Sequence, residues 1–533
     1  MEDIIIRNGL IVDGTGKPPF IGDVAMKDGK ISGIGILNGL NALKEIDAAE
    51  RCITPGFVDI HRHADLRVFS PEFGKTELFQ GITTCISGNC GMSAAPCIKG
   101  KEDILYGYLE PCLGKPVHNS GFAVFGEYMK AVSEQPLALN FGSYVGSGTI
   151  RIAVKGFDSS PMSPEEMGKA KAMVAEAMEA GAFGLSMGIM YSPECYYSIG
   201  EMIELAGTAG KYGGILVTHM RGEGDSLPDS VAEVLHIASQ AEVPLHISHL
   251  KAAGRNNWGK AIYRAFELIE SARAAGQDVT CDVYPYEAGS TMLLTVIPPK
   301  LLAGGVDKAL AYLKTAAGRE KLRQELSVKH QDWDNLVLSL GWDRVVISSA
   351  AAEENQRYVG KSIAAISEEM GCDEVDAVCS LLLSGNGKVG IVIFSMSPED
   401  VCEVIKKPYS MIISDSIYPA SGNPHPRLYG AFPRLLAKYV RDKKIITLEE
   451  GVKKMTSMPA RRLGMRELGE IKEGFRADLL IFDLSKVEDT ATYEKPVQVA
   501  GGIDLVLIGG KPVILDRLLS RQKCGSFFVP ERV

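Results

Sequence analysis

Short apolar runs alternate with amphipathic helical stretches through the middle of the chain. The sequence Ser-Pro-Glu-Glu at 163–166 is a capping box with proline at the first helical position, and the helix that it opens ends near Gly181. A second capping box at 198–201 leads a helix into the apolar run at 215–219. Successive runs here begin about 30 residues apart, which is the spacing of βα units in a parallel sheet.

Eight apolar runs qualify as strands of one sheet, which predicts an α/β protein built on a (β/α)₈ TIM barrel. The candidate strands lie at 57–61, 82–87, 137–144, 182–187, 215–219, 243–249, 278–284 and 411–415. Because the chain between the last two is far longer than one helix, we predict an inserted subdomain with helices near 308–329 and 353–383. The apolar runs 345–349 and 391–394 remain ambiguous, either as strands of the insert or as replacements for a barrel strand.

The two ends of the chain resemble each other and differ from the middle. Both contain short strands separated by glycine turns, so we predict one small β-sandwich built from both termini. The predicted order is the N-terminal half of the sandwich at 1–54, barrel at 55–290, insert at 291–408, end of the barrel at 409–466, and the C-terminal half of the sandwich at 467–533.

Composition narrows the class of partner. The chain has 533 residues, of which 46% are hydrophobic and 23% charged, with a formal net charge of -9. This acidic balance argues against nucleic acid or an anionic membrane as a partner, but it is compatible with a small anionic substrate. The acidic start of the chain lacks the features of a signal peptide, and the 11 scattered cysteines favour reduced thiols, so we expect a cytoplasmic protein.

Two histidines end the first predicted barrel strand. His61 and His63 are one residue apart, and alternate side chains of a strand face the same way, so both imidazoles point to one side. A pair of neighbouring imidazoles can hold one divalent metal ion, most often zinc. Two ordinary core or surface histidines would give the same short pattern, so the positions of the other candidate ligands decide the interpretation.

Other candidate ligands follow the ends of further predicted strands, at Cys90, His219, His249 and Asp415. Because the carboxyl ends of barrel strands meet at one rim, this recurrence predicts a metal site there. Taken alone, Cys90 could be an inert buried thiol, and Asp415 could cap a loop or helix.

The remaining histidines carry weaker signals. His246 lies three residues before His249, which places it on the opposite face of a regular strand, and we interpret it as structural. His118, His236 and His330 are expected outside the site, and the role of His425 is left open.

The chain resembles the amidohydrolase superfamily and, within it, the D-aminoacylase (N-acyl-D-amino-acid deacylase) family. The resemblance runs nearly end to end. It is carried by Thr-Pro-Gly-Phe-Val-Asp-Ile-His-Arg-His at 54–63, Gly-Asn-Cys-Gly at 88–91, Thr-His-Met-Arg at 218–221, His-Ile-Ser-His-Leu-Lys at 246–251, Asp-Val-Tyr-Pro-Tyr-Glu-Ala-Gly-Ser at 282–290 and Asn-Pro-His-Pro-Arg at 423–427.

The resemblance implies roles for individual residues. Cys90, His219 and His249 would hold a tightly bound zinc ion, while His61, His63 and Asp415 would line a second, weaker site that Cys90 could bridge. The positions that would hold the carboxylate and carbonyl of the substrate are Tyr191, Lys251, Tyr284, Ser290 and Arg427. Without the motif, Lys251 and Arg427 would be interpreted as ordinary salt-bridge partners.

The expected reaction is hydrolysis of the amide bond of an N-acyl-D-amino acid by a metal-activated water, with Asp415 as general base and then general acid. The chain departs from the usual family pattern at Arg62, at Ser416 and the loop 417–423, and at 190–194. These residues are expected near the pocket, so they bear most on substrate preference. The alternatives are a cyclic amide or ureide hydrolase of the hydantoinase type and a non-catalytic scaffold. Hydantoinase-like relatives typically use a carboxylated lysine, whereas a cysteine is in that role here.

Overall fold

A computed structural model describes residues 1–116, 121–419 and 421–531 of the chain. Its centre is a ring of eight parallel strands, which confirms the predicted barrel. The strands are β1 (Phe57–Asp59), β2 (Ile82–Ser87), β3 (Asn140–Ser143, continued by Val145–Gly146), β4 (Gly184–Gly188), β5 (Ile215–His219), β6 (Leu245–Ile247), β7 (Val279–Val283) and β8 (Ser410–Ile412).

Neighbouring barrel strands pair in chain order, and β7 pairs directly with β8 across the insert. Just beyond the ends of β8 and β1, backbone hydrogen bonds close the ring. The amide of Asp415 donates to the carbonyl of His61 at 2.9 Å, and the amide of His63 donates to the carbonyl of Ser416 at 2.9 Å. Three candidate ligands therefore flank the closing seam of the barrel.

Helices pack around the strands, as the 3.6-residue periodicity between the apolar runs predicts. Both predicted capping boxes form: Ser163 caps Pro164–Glu179, and Ser198 caps Ile199–Gly210. The barrel connections contain the helices Lys75–Leu78, Glu102–Leu113, Phe125–Ser133, Ser147–Lys155, Pro164–Glu179, Ile199–Gly210, Leu227–Gln240, Ala261–Ala274 and Pro398–Lys406. After β8 come Arg427–Arg434, the π-helical turn Leu435–Asp442, Leu448–Met455 and Ser457–Arg462.

The termini build one nine-stranded sheet together. The segment Cys52–Pro55 joins the two halves, since it pairs with Glu2–Ile11 on one side and with Leu479–Phe482 on the other. Apolar side chains from both halves form a core separate from that of the barrel. The remaining strands are Phe20–Lys27, Lys30–Gly35, Ala42–Asp47, Ile503–Ile508, Lys511–Leu515 and Leu518–Leu519.

The segment between β7 and β8 carries its own antiparallel sheet. Val389–Ile393 is the central strand, between Gly289–Met292 and Val345–Ala350. The two ambiguous apolar runs are therefore strands of the insert. The helices of this region are Pro299–Leu302, Val306–Leu313, Ala316–Leu326, Leu336–Leu340, Ile363–Met370 and Glu374–Ser384. Among the described residues, no helix combines the length and apolarity needed to cross a bilayer.

Arg62 lies fully buried behind the seam, and its guanidinium is surrounded by hydrogen-bond acceptors. Its Nε donates to the Tyr418 hydroxyl at 2.7 Å, Nη1 donates to Asp59 and Ser414 at 3.0 Å each, and Nη2 donates to Glu77 at 2.9 Å. Ser414 also donates its backbone amide to Asp59 at 3.1 Å. This buried network ties the end of β1 to the segment that follows β8.

Replacing Arg62 with methionine should destabilise the protein strongly, because Asp59 and Glu77 would remain buried without their cation. Removing one partner of a buried ion pair costs about 3–5 kcal/mol. Arg67→Met is the matched control, since Arg67 pairs with the exposed Glu72 at 2.6 Å and its loss should cost less than about 1 kcal/mol. Urea titration followed by circular dichroism measures both, and equal losses in the two variants would contradict a structural role of the network.

Candidate metal centre and substrate cavity

All six predicted ligands meet at the carboxyl end of the barrel. The Cys90 sulfur lies 3.3 Å from His61 Nε2 and 3.5 Å from His249 Nε2. Three sets of donor atoms lie mutually within 4.8 Å: Cys90 with His219 and His249, Cys90 with His61 and His63, and His61 with His249 and Asp415. Each of these side chains is buried, so a cation held here would be largely shielded from water.

Three of the six donors lie on left-handed backbone. The φ angles are 53° at Cys90, 35° at His249 and 48° at Asp415. Residues other than glycine rarely adopt this conformation, and such strain concentrates at functional sites because surrounding contacts must hold it in place. Each of the three residues follows a strand end, where this backbone turns its side chain toward the centre of the rim.

Two carboxylates that the sequence analysis did not assign support the histidines from behind. Asp282 Oδ2 lies 3.3 Å from His61 Nδ1, and Asp282 also accepts a hydrogen bond from the His249 backbone amide. Glu223 Oε1 lies 2.9 Å from His249 Nδ1. Such partners fix the orientation of a metal-ligating imidazole. Asp282 lies near the end of β7, as a metal ligand would, and Glu223 lies four residues after His219. Neither position is specific enough to identify a supporting residue from the sequence alone.

His246 lies outside the three donor sets, and its structural role stays a prediction, but the alternation argument used to separate it from His249 fails. The strand β6 ends at Ile247, and the left-handed backbone of His249 breaks the two-residue periodicity. His246 instead places Nε2 2.9 Å from Asp282 Oδ2, so it contacts the same carboxylate as His61.

The protonation of the donors suits a thiolate–imidazole zinc site. Burial lowers the pKa of His63, of His249 and, most strongly, of His219, so these rings are neutral as ligands must be. Burial also lowers the pKa of His61, but Asp282 and Asp415 outweigh it and raise the pKa overall. Burial raises the pKa of the Cys90 thiol well above its usual value, so its thiolate requires a nearby cation. A cysteine with several imidazoles is a typical zinc donor set.

Asp415 connects the donors to Arg427. Its Oδ1 lies 3.4 Å from His61 Nε2 and 3.3 Å from His63 Nε2, while Oδ2 lies 2.8 Å from Arg427 Nη1. Burial opposes the ionisation of Asp415, but Arg427 and His61 outweigh it and hold its pKa well below the usual range. The carboxylate is therefore ionised at neutral pH.

All five predicted substrate-contact residues line the cavity beside these donors. Tyr191 lies over His219 with ring centroids 4.8 Å apart, and its hydroxyl is 3.2 Å from Thr291 Oγ1. The Tyr284 ring lies under the Arg427 guanidinium at 4.6 Å. The Ser290 hydroxyl donates to the carbonyl of Ile391 at 3.0 Å, so it is already engaged.

The two cations of the cavity are paired with carboxylates in this state. Lys251 Nζ contacts Glu223 at 2.5 Å and His249 Nδ1 at 2.7 Å. Arg427 contacts Asp415, but its Nε is buried without a hydrogen-bond partner among the described residues. A guanidinium has five donors, so Arg427 keeps capacity for a further anionic group.

His425 has a supporting role. Its Nδ1 accepts the backbone amide of Arg427 at 3.0 Å, and its Nε2 donates to the carbonyl of Ala288 at 2.9 Å. Both ring nitrogens are used, so His425 positions the start of the Arg427 helix. His236 and His330 lie outside the donor cluster, as expected, and His118 falls outside the described residues.

Sequence comparison identifies the family. A model of the amidohydrolase family matches residues 394–514. D-Aminoacylase from Alcaligenes xylosoxydans xylosoxydans is 32% identical over 523 residues, which cover 98% of this chain and 96% of that protein. The chain belongs to the D-aminoacylase family of amidohydrolases.

Solved structures of family members share the fold. N-Acyl-D-glutamate deacylase from Bordetella bronchiseptica, complexed with zinc and a phosphonate mimic of the tetrahedral intermediate, has a TM-score of 0.82 and 30% identity, with 99% of each chain covered. A D-aminoacylase structure that addresses the role of the binuclear metal centre, with one-metal activation and second-metal attenuation, has a TM-score of 0.81 and 31% identity, covering 98% of this chain and 99% of that chain.

Zinc binding at pH 7 should release about one proton per ion held by Cys90, because the buried thiol is protonated before the cation arrives. Calorimetric titration in two buffers with different ionisation enthalpies measures the number of protons released. Cys90→Ser should lower the number of protons released per zinc ion by about one, and the same substitution at Cys112, a cavity-lining residue outside the three donor sets, should leave that number unchanged. Equal proton release by the wild type and Cys90→Ser would contradict the assigned protonated state of the free Cys90 thiol.

Proposed function

We propose that this protein is a zinc-dependent hydrolase of N-acyl-D-amino acids, which releases a carboxylate and a free D-amino acid. The observation that carries the proposal is the convergence of a cysteine–histidine donor set, an ionised aspartate and two cations on one buried cavity. The family's deacylases support the same reaction, since they act on N-acyl-D-amino acids.

Cys90, His219 and His249 are assigned to a tight zinc site, and His61, His63 and Asp415 to a weaker one that shares Cys90. The first assignment is supported by the mutual proximity of those three donors. When bound, zinc supplies a Lewis acid for the substrate carbonyl and a water whose pKa is lowered to about 7. Glu223 orients the His249 ring of the tight site, and Asp282 orients the His61 ring of the weaker site.

Asp415 is assigned as the proton carrier. It is ionised and lies between His61, His63 and Arg427, so it can accept a proton from the attacking water. The same group returns that proton to the leaving nitrogen, because an amine leaves poorly as an anion. Tyr191, which lines the cavity, is assigned as a hydrogen-bond donor to the developing oxyanion.

Arg427 and Lys251 are assigned to the substrate carboxylate. The planar guanidinium fits two carboxylate oxygens, and Lys251 adds a point charge beside it. The Tyr284 ring packs against the Arg427 guanidinium and limits its movement. Fixing both the carboxylate and the acyl carbonyl leaves one space for the side chain at the α-carbon, which selects one configuration. Cys90 in the place of the carboxylated lysine argues against a hydantoinase-type reaction.

Asp415→Asn should retain one zinc ion per chain and lower kcat by about 10²–10⁴-fold, because amide oxygen and nitrogen cannot carry the proton. Asp225→Asn is the control, since Asp225 pairs with Lys329 at 2.6 Å and does not line the cavity. The measurements are metal content and initial rates on N-acetyl-D-methionine. A variant with zinc bound and near-normal kcat would exclude Asp415 as the proton carrier.

A further inference from the structure

Glu194 is a buried carboxyl group near the metal donors that the proposed reaction does not use. It lies on the loop between β4 and the helix Ile199–Gly210, three residues after Tyr191, and its exposed fraction is only 1%. It belongs to none of the three donor sets and does not line the donor cavity. A carboxyl group at this depth must be compensated by hydrogen bonds, so its contacts indicate its role.

One oxygen of Glu194 joins two neighbouring strand ends of the rim. Its Oε2 accepts a hydrogen bond from the backbone amide of Gly188, the last residue of β4, at 2.8 Å. The same oxygen accepts a hydrogen bond from the hydroxyl of Ser147, the first residue of the helix that follows β3. The carboxyl group therefore ties the end of β4 to the segment just beyond β3.

The other oxygen packs against the turn that carries Cys90. Gly91 follows Cys90 directly with a φ angle of 73°, and a Cβ atom added to Gly91 would overlap Glu194 Oε1. A Cβ atom added to Gly148 would overlap the same oxygen. The carboxyl group thus fills the space between the Cys90 turn and the first turn of the helix after β3.

Backbone contacts connect these segments to the position of Cys90. The backbone of Gly188 lies against the carbonyl of Cys90, where a Cβ atom would overlap the carbonyl oxygen. The amide of Gly91 donates to the hydroxyl oxygen of Ser186 in β4 at 3.1 Å. Because the left-handed backbone of Cys90 must be held by its surroundings, losing the carboxyl group would release the turn that points the thiol at the other donors.

The shape of the Glu194 carboxyl group matters here more than a negative charge. Burial raises the pKa of Glu194 to about 8, although its hydrogen bonds to Ser147 and Gly188 oppose the rise. The group is therefore mostly neutral at pH 7. Glutamine has nearly the same shape and keeps an oxygen acceptor, whereas alanine has neither.

We propose that Glu194 is a positioning residue for the metal centre, which holds the Cys90 turn against the ends of β3 and β4 and so keeps the thiol beside His219 and His249. It acts through the backbone and is not itself a ligand. This inference rests on the tight zinc site of the proposed function and adds to it a residue outside the ligand set.

The test measures zinc affinity by titrating the zinc-loaded, full-length protein with a chromophoric chelator. Glu194→Ala should weaken the affinity by about 10–100-fold, the usual effect of removing a group that supports a metal ligand. Glu194→Gln should restore it nearly to the wild-type value. With Co²⁺ in place of zinc, the thiolate-to-metal charge-transfer absorption should weaken in Glu194→Ala and return in Glu194→Gln, because it reports the contact between metal and Cys90.

Glu201→Ala is the matched control. Glu201 is also buried, and its carboxylate accepts the backbone amides of Met162 and Ser198 at 2.6 Å each, but these partners carry no donor. Its loss should lower stability in urea while leaving the zinc affinity and the Co²⁺ absorption unchanged.

Gly148→Ala approaches the same contact from the other side. The added methyl group should displace the Glu194 carboxyl group and weaken zinc affinity in the otherwise wild-type chain. In the Glu194→Ala background the space is vacated, so the same substitution should cause no further loss. This pair of variants decides the matter even if Glu194→Ala alone does not fold.

Zinc affinity and Co²⁺ absorption equal to those of the wild type in both Glu194→Ala and Gly148→Ala would overturn the inference. So would an equal loss of affinity in Glu201→Ala, because the effect would then follow general stability. These measurements use no substrate. A zinc-loaded protein that hydrolyses no N-acyl-D-amino acid would therefore defeat the proposed function alone, while the affinities would still decide the role of Glu194.

Discussion

The closing seam of the barrel, between β1 and β8, is the constraint on which the site depends. His61 and His63 lie on one side of it and Asp415 on the other, and two backbone hydrogen bonds of 2.9 Å fix their separation. Between the two histidines, Arg62 turns to the opposite side and binds Asp59, Glu77, Ser414 and Tyr418. Because successive side chains at a strand end point to opposite sides, His61 and His63 face the metal donors while Arg62 faces the buried ion-pair network.

The charges of the side chains around the donor cluster are also fixed by their neighbours. Burial lowers the pKa of the His63, His219 and His249 imidazoles, whereas Asp282 and Asp415 raise the pKa of His61. The carboxylates of Asp415, Asp282 and Glu223 are kept ionised by their cationic and imidazole partners, despite burial. The result is a set of soft donors backed by fixed negative charge, with Arg427 and Lys251 at the edge of the cavity. Such preorganised charge suits a cation and, beside it, an anionic substrate group.

The sequence was sufficient to predict the barrel, the shared terminal β-domain and the meeting of the six donors, because apolar runs and strand-end residues follow simple periodicities. It could not reveal Asp282 and Glu223 as supports, since their roles arise from contacts between different strands. The left-handed backbone at Cys90, His249 and Asp415 could not be predicted from the sequence either. At His249 it breaks the alternation of the strand, which is why the argument that placed His246 on the opposite face failed. The insert sheet required pairing information, because apolar runs of five or six residues fit a barrel strand equally well.

The activity proposed for this protein is hydrolysis of N-acyl amino acids of D configuration in a zinc-loaded cavity. The most direct measurement is the initial rate of amine release from N-acetyl-D-methionine and N-acetyl-L-methionine by protein whose zinc content has been measured. We expect turnover of the D substrate, with a kcat/KM on the order of 100-fold or more above that of the L substrate. Equal hydrolysis of both enantiomers, or none of either with zinc bound, would contradict it.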